Sequence, residues 1–400
     1  MLSVILNFLG IIFICFLLWI FSYNKLNINY KIILKAFVGQ FIVAFVLMKF
    51  SAGVWLIEKI SHYVTKIISY GNYGLEFVFG SLVDSAKIGN IFVIQVLGNI
   101  IFIAALVAVL THLGILSIVV KFLGNIFSKI LGTSQIESFM AVANMFLGQT
   151  ESPLLISKYL KFLSSSEILM ILIAGMGSMS ATILGGYAAM GVPMKYLIIT
   201  CALVPFGSVI CAKILLSENQ TPFSIQDVQI DKNAYGSNFL EALSNGAMEG
   251  IKLIAAISAS LVAIIAFVAL CNGLLDDFGL KLETILGYIF YPLAFFMGFD
   301  SAVTYDAAAI FAQKLFLNEF MAFIDLMDGF ENYDDKTKAM LCIATGGFAN
   351  IGSMAICLSA IGTLCPEKKS FIAKFLPRAL LGAFLMNIMN ALIVGIVLSF

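Results

Sequence analysis

Charge is scarce in this chain and sums to zero. Only 12% of the 400 residues are charged, and 23 Lys and Arg are matched by 23 Asp and Glu. That balance gives no case for nucleic-acid binding or for a polybasic membrane anchor. Histidine is nearly absent, with only His62 and His112. The seven cysteines (Cys15, Cys201, Cys211, Cys271, Cys342, Cys357 and Cys365) include no CxxC pair. A zinc site or a disulfide framework is therefore not expected, and the thiols read as small apolar fillers. No HExxH, GxSxG or GxxxxGK[ST] motif occurs, which removes the common signatures of zinc peptidases, serine hydrolases and P-loop enzymes. The start, Met1-Leu2-Ser3-Val4, lacks the basic n-region of a cleaved signal, so a retained first helix is expected.

What the chain has in abundance is apolar sequence. Hydrophobic residues make up 61% and the mean hydropathy is +1.03. An all-α membrane protein is expected, since a spanning helix satisfies its own backbone. Apolar segments fall at 2–21, 33–50, 92–119, 168–190, 196–216, 253–270, 340–361 and 384–400, about eight spans. Two are interrupted. Gly175, Gly177, Ser178, Ser180, Thr182, Gly185 and Gly186 punctuate 168–190, and Thr345-Gly346-Gly347 and Asn350-Ile351-Gly352-Ser353 punctuate 340–361. Residues 55–81 and 121–130 mix charges with helically spaced apolar residues and suit interfacial amphipathic helices. Residues 217–238 are the most hydrophilic and read as a surface loop.

Two further segments, 136–160 and 307–326, each carry a glutamate near the middle, Glu151 and Glu319. Both are too polar at the centre for a simple span, and a re-entrant helical hairpin fits better. Irregular backbone at membrane depth is tolerated only where it is buried in protein or lines a cavity. The order re-entrant segment, broken span, intact span then occurs twice, which is the sequence sign of a transporter with internal repeats and a mid-membrane site. Lys25, Lys31 and Lys35 crowd the first loop, and Lys368, Lys369, Lys374 and Arg378 precede the last span. The positive-inside rule puts both loops in the cytoplasm and both termini outside.

A carboxylate in a bilayer costs at least ~2.5 kcal/mol, so Glu151 and Glu319 are the first candidates for function. Ionised carboxylates only accept hydrogen bonds. They suit a neutral, donor-rich solute such as a nucleoside, and they repel phosphates. Gln149 and Thr150 add donors and acceptors beside Glu151, enough to read a base edge. Asn350 and Ser353 lie three apart and can share a helix face, and Phe348 can stack on a base. Asn144, Thr150, Ser178 and the open backbone over 178–183 offer neutral oxygens to a hard cation such as sodium. The same serines and asparagine can instead bond helices together. Paired carboxylates can also hydrolyse a glycosidic bond, but the repeat and the broken helices favour transport over an enzyme. A receptor that senses nucleosides without flux is the other class, and nothing in the chain resembles an appended signalling domain.

The stretch Ala143-Asn144-Met145-Phe146-Leu147-Gly148-Gln149-Thr150-Glu151-Ser152-Pro153-Leu154-Leu155 closely resembles the signature of the concentrative nucleoside transporter family. So do Asn318-Glu319-Phe320-Met321-Ala322-Phe323 and Gly347-Phe348-Ala349-Asn350-Ile351-Gly352-Ser353. Shorter matches are Phe92-Val93-Ile94-Gln95-Val96-Leu97, Leu131-Gly132-Thr133-Ser134, Asn245-Gly246-Ala247 and Asn387-Ile388-Met389-Asn390-Ala391, in family order over nearly the whole chain. The resemblance implies a homotrimeric, multi-pass carrier of the bacterial inner membrane that imports uridine, cytidine, adenosine or similar nucleosides. It implies eight spans, two re-entrant hairpins, interfacial helices and an inverted-repeat transport domain moving like an elevator. The implied organisation is mainly scaffold over 1–130, a first transport repeat over 131–216, a loop, scaffold span and interfacial helix over 217–299, and a second transport repeat over 300–400. By the same resemblance Gln149, Thr150, Glu151 and Phe348 contact the base, and Glu319, Asn350 and Ser353 contact the ribose. Sodium, the coupling ion, is implied on Asn144, Ser178 and the carbonyls of Met179 and Ile183. Some family members couple to protons instead; retention of Asn144 and Ser178 favours sodium.

Overall fold

The computed structural model describes residues 2–218 and 234–400, and among them every regular element is a helix, as expected. Most of the loop expected over 217–238 lies outside the described residues. Among the described residues, seven helical stretches are long and apolar enough to cross a membrane: Leu2–Ile20, Tyr30–Met48, Phe92–His112, Ser165–Ala189, Met194–Leu215, Phe239–Leu275 and Pro366–Leu398. The remaining expected span, 340–361, is divided into Asp335–Thr345 and Ile351–Leu364. At ~1.5 Å per residue neither half reaches across the ~30 Å apolar core of a bilayer. The stretch 92–119 also divides. Its helix ends at His112, and a new amphipathic helix runs over Ile115–Leu131. The helix expected over 55–81 spans Ser51–Phe79.

Burial separates a core from a periphery. Of the apolar stretch in Pro366–Leu398, 94% is buried, against 17% in Phe239–Leu275 and 22% in Leu2–Ile20. The last helix, Lys369–Leu398, is the axis of the core and packs on Ser165–Gly177, Met194–Leu215, Asp335–Thr345 and Leu2–Ile20. Phe239–Leu275 is peripheral and has 37 residues, about 55 Å of helix. It docks closely on Asn99–His112 because Gly246 and Gly250 lie one helical turn apart. A Cβ on Gly246 would fall 2.5 Å from Ala108 Cβ, and one on Gly250 2.8 Å from Ile101 Cα. This small-residue contact is the usual device for close helix approach in membranes.

The two broken helices enter from opposite ends. Ser166 Oγ donates to Leu216 O at 3.0 Å, and Tyr23 N donates to Leu215 O at 2.8 Å. Helix Ser165–Gly177 therefore starts beside the loop that follows Leu2–Ile20. At the other end of that first helix, Lys336 Nζ reaches Ser3 Oγ at 2.5 Å and Ser399 Oγ at 2.7 Å. Helix Asp335–Thr345 thus starts beside both termini. Arg378 Nε donates to Phe21 O at 3.3 Å, and Tyr23 packs on Phe375. The two basic loops accordingly share one end of the molecule, and the two termini share the other.

The helix pairs that carry Glu151 and Glu319 follow the same opposition. Gln135–Ala143 begins with a capping box of Ser134 and Glu137, and Glu137 is held by Lys213 Nζ at 2.5 Å, which also donates to Ser166 Oγ at 3.0 Å. A turn and the single-turn helix Ser152–Leu155 follow. The second pair, Ser301–Phe316 and Glu319–Asp328, is joined at Leu317 and Asn318. It begins near Gly298, whose added Cβ would lie 2.9 Å from Ser3 Oγ, at the end that holds the termini.

Candidate functional site

The site is built where the two broken helices meet. Ser178 closes helix Ser165–Gly177 by turning extended (φ −91°, ψ 170°), and the Ser180 hydroxyl starts Ala181–Ala189 by accepting from Thr182 N at 3.3 Å. In the second half Gly346 turns extended (ψ 149°), and the Asn350 side chain starts Ile351–Leu364 by accepting from Ser353 N at 2.9 Å. Phe348 N donates to Ser178 O at 3.1 Å and ties break to break. Gly347 between them has φ 96°, and a Cβ there would stand 2.5 Å from Gly177 O. Both the left-handed backbone and the close approach require glycine.

A cavity of about 120 Å³ lies at this crossing, tighter than the ~300–1,000 Å³ of a typical small-molecule pocket. All seven residues expected to contact substrate line it: Gln149, Thr150, Glu151, Glu319, Phe348, Asn350 and Ser353. Leu253, Ala256, Ile257 and Ser260 of the peripheral helix Phe239–Leu275 form another wall.

The two carboxylates are held differently. Glu151 Oε2 accepts from Gly148 N at 3.2 Å and from Ser180 Oγ at 3.1 Å. Among the described residues Oε1 takes no hydrogen bond from the protein, so it keeps its acceptor capacity. Glu319 is buried and uses both oxygens. Oε1 accepts from Tyr187 OH at 3.0 Å, and Oε2 accepts from Asn350 Nδ2 at 3.1 Å. It also opens helix Glu319–Asp328, capped by Asn318, where the helix dipole favours a negative charge. Gln149 crosses between halves. Its Nε2 donates to Ser353 Oγ at 3.1 Å, and its Oε1 accepts from Cys357 Sγ at 3.2 Å. Thr150 is exposed, and Phe348 is nearly buried with its ring near Gly148.

Three contributors escape the sequence reading as site residues. Ser180 orients Glu151 and is bonded to Thr182 Oγ1 at 2.6 Å. Tyr187 positions Glu319 while its ring packs between Phe320 and Phe323, at 5.0 and 4.9 Å. The wall from Phe239–Leu275 carries no polar signal other than Ser260.

The residues expected to hold sodium group around Gly175. Asn144 is fully buried, with Oδ1 accepting from Ser152 Oγ at 2.9 Å and Nδ2 donating to Met140 O at 2.8 Å. Asn144 Oδ1 lies 3.8 Å from the position of a Cβ on Gly175, and Ser178 Oγ donates to Gly175 O at 3.0 Å. Asn144 and Ser178 are thus brought together. Met179 sits in the break with its carbonyl accepting from Cys201 Sγ at 3.9 Å, and Ile183 lies in the first turn of the next helix and lines the cavity. The donor set is neutral oxygen, which fits a hard monovalent cation better than a soft metal.

Three family descriptions match consecutive parts of the chain: "Na+ dependent nucleoside transporter N-terminus" over residues 9–82, "Nucleoside recognition" over 93–194, and "Na+ dependent nucleoside transporter C-terminus" over 196–395. The nucleoside permease NupC of Helicobacter pylori is 36% identical, with 98% of each chain covered. Solute carrier family 28 member 3 of Homo sapiens is 29% identical over 99% of this chain and 60% of its own. Among solved structures, CNTnw in an inward-facing substrate-bound state matches with 30% identity, 99% and 98% coverage of this chain and that one, and a TM-score of 0.94. A substituted CNTnw in an outward-facing state matches with 29% identity, 100% and 99% coverage, and a TM-score of 0.95. The chain belongs to the Na+-dependent, concentrative nucleoside transporter family, whose members are membrane carriers and not enzymes.

Proposed function

We propose that this protein imports nucleosides across a bacterial inner membrane, one substrate at a time, in symport with sodium. The observation that carries the reading is the cavity at the crossed breaks, lined by Glu151, Gln149 and Thr150 from one half and by Glu319, Asn350 and Ser353 from the other. Acceptors on two sides and an aromatic ring suit a flat base joined to a hydroxylated sugar. On this reading Gln149, Thr150, Glu151 and Phe348 take the base, and Glu319, Asn350 and Ser353 take the ribose. Sodium, when bound, would be held by the buried side-chain oxygens of Asn144 and Ser178 and the carbonyls of Met179 and Ile183. Because Ser152 and Gln149 belong to the same turn as Asn144, ordering that turn for the ion also sets the base-reading residues. Sodium and nucleoside would then favour each other's binding, as coupling requires.

The driving force is sufficient. One charge falling through ~100 mV yields ~2.3 kcal/mol, and a tenfold sodium gradient adds ~1.4 kcal/mol. Together they support roughly a 500-fold nucleoside gradient.

The packing supports an elevator in which 131–216 and 300–400 carry Leu2–Ile20 and Tyr30–Met48, which pack on Met194–Leu215 and Lys369–Leu398, and move against the rest of 1–130 and 217–299. Leu253, Ala256 and Ile257 face the cavity with apolar surface, along which a moving body exchanges dispersion contacts and not hydrogen bonds. The helix pairs carrying Glu151 and Glu319 act as re-entrant hairpins from opposite sides. The apolar faces left open on Leu2–Ile20 and Phe239–Leu275 are available to lipid and to the neighbours in a homotrimer. The basic loops put both termini outside the cell.

Uptake of labelled uridine, cytidine and adenosine into proteoliposomes tests the reading. Accumulation should require an inward sodium gradient and collapse when choline replaces sodium at fixed pH. Accumulation that follows a pH gradient instead would make the carrier proton-coupled, and binding without flux would make it a receptor.

A further inference from the structure

The inverted halves bring the C-terminal ends of Ser165–Gly177 and Asp335–Thr345 to the middle of the molecule. Each end carries carbonyls without helical partners and the negative pole of a helix dipole. Half-helix C-terminal ends of this kind coordinate cations in carriers with broken helices. In the first half the carbonyls keep small neutral partners: Gly175 O accepts from Ser178 Oγ, and Met179 O from Cys201 Sγ.

The second half differs. Lys314, on the helix that leads to Glu319, is fully buried. Its ammonium donates to Ala344 O at 2.6 Å, in the last turn of Asp335–Thr345, and to Gly346 O at 2.7 Å, at the start of the break. The Phe384 ring lies 6.0 Å away. Asn387 Nδ2 shares Gly346 O at 2.6 Å. Among the described residues, two buried oxygens beside this group, Thr345 Oγ1 and Asn387 Oδ1, have no hydrogen-bond donor. An oxygen-rich end of a half-helix is thus occupied by a covalently attached cation. Asn144 stands seven residues before Glu151 and Lys314 five residues before Glu319, and each side chain meets the half-helix end of its own half.

We infer that the Lys314 ammonium is a tethered cation. It fills in the second half the place that a free sodium ion takes in the first, and so limits coupling to one sodium ion per nucleoside. This deepens the sodium-coupled reading above and rests on it. Lys314 is a positioning residue. It holds the second break, and through it Phe348 and Asn350, without touching substrate.

The zero-flux membrane potential of proteoliposomes, at fixed sodium and uridine gradients, reads the stoichiometry. Wild type should give one charge per uridine, with sodium activation that is not cooperative. Two charges per uridine would overturn the inference. No sodium dependence at all would instead overturn the coupling reading beneath it, and the two failures are distinct. Lys314→Ala opens room for an ion among the carbonyls. Its sodium activation should become cooperative, with a Hill coefficient rising from near one towards two. Lys314→Met keeps the stem's volume but supplies neither charge nor space, so it should bind uridine poorly at every sodium concentration. A merely structural lysine predicts the reverse order, with Met the milder change. A Met variant that transports like wild type, or an Ala variant with unaltered sodium activation, would refute the role. Purified Lys314→Ala should also gain more thermal stability from sodium than wild type does. An Ala variant that stays unfolded in saturating sodium would count equally against the inference, because a vacated cation site should refill.

Discussion

Replacing Glu319 by glutamine removes one charge and one acceptor while changing almost no volume. The packing around it, including Phe320 and the ring of Tyr187, has no reason to move. What changes is the hydrogen bonding. Glu319 now accepts from Tyr187 OH at 3.0 Å and from Asn350 Nδ2 at 3.1 Å. Asn350 cannot turn its amide around to compensate, because its Oδ1 caps Ser353 N at 2.9 Å. The glutamine carbonyl must therefore take Asn350 Nδ2, and its NH2 must face Tyr187, whose hydroxyl then turns to accept. The side chain fits, but no charged acceptor is left for sugar hydroxyls. A hydrogen bond to a charged group contributes ~1.5–3 kcal/mol and one between neutral groups ~0.5–1.5. Two ribose hydroxyls therefore lose ~2 kcal/mol together, about 30-fold in affinity. Calorimetry of uridine binding to purified Glu319→Gln should show that loss with little change in melting temperature. A nucleoside lacking both ribose hydroxyls should bind wild type and variant equally. Uridine binding within twofold of wild type would remove Glu319 from the site, and an equal loss for the deoxygenated nucleoside would show that the effect is not at the sugar.

Three other outcomes are expected. Asn144→Ala removes a buried side-chain oxygen beside Gly175 and should raise half-activating sodium about tenfold, ~1.4 kcal/mol; unchanged sodium dependence of uptake would exclude the cation site. Gly347→Ala must adopt a left-handed backbone and push its Cβ against Gly177 O, so it should cost at least ~2 kcal/mol, seen as a lower melting temperature of the detergent-solubilised protein; wild-type stability would mean that the two breaks are not in contact. Lys213→Met leaves Glu137 buried without its cation and should destabilise by ~3–5 kcal/mol, whereas the double change with Glu137→Gln should recover much of the loss; equal melting temperatures for the single and double variants would show that the pair does not act as a unit.

The spans were legible because a bilayer demands long apolar runs, and Glu151 and Glu319 because carboxylates are costly inside one. Other contributions were hidden by distance along the chain. Tyr187 reads as one more aromatic in an apolar stretch, and it does pack as core between Phe320 and Phe323. Only folding brings its hydroxyl to Glu319, 132 residues away. The Gln149 to Ser353 bond spans 204 residues in the same way. Ser180 was visible as a helix interrupter, but nothing in its spacing announces that it orients Glu151. The wall from Phe239–Leu275 has no sequence signal, since Leu253, Ala256 and Ile257 differ in no way from residues that face lipid. The span 340–361 was legible as interrupted, but it was still counted as one span because its apolar residues resume directly after the break. Gly346 and Gly347 divide it, and the neighbour that makes Gly347 indispensable, Gly177, lies in the other half.

Opposed broken helices also explain how so many polar groups can share one buried place. Each break delivers two helix ends to the middle: a C-terminal end that favours cations and an N-terminal end that favours anions and acceptors. The C-terminal ends face the Asn144–Ser178 group in one half and the Lys314 ammonium in the other. The N-terminal ends are capped by Ser180 and Asn350, and these same caps hold Glu151 and Glu319. Each glutamate is thereby placed over a positive helix pole by the residue that starts that helix. Removing either cap by Ser180→Ala or Asn350→Ala should weaken nucleoside binding and helix stability together. Glu319→Gln should weaken binding alone. That contrast separates the groups that build the site from the group that meets the sugar.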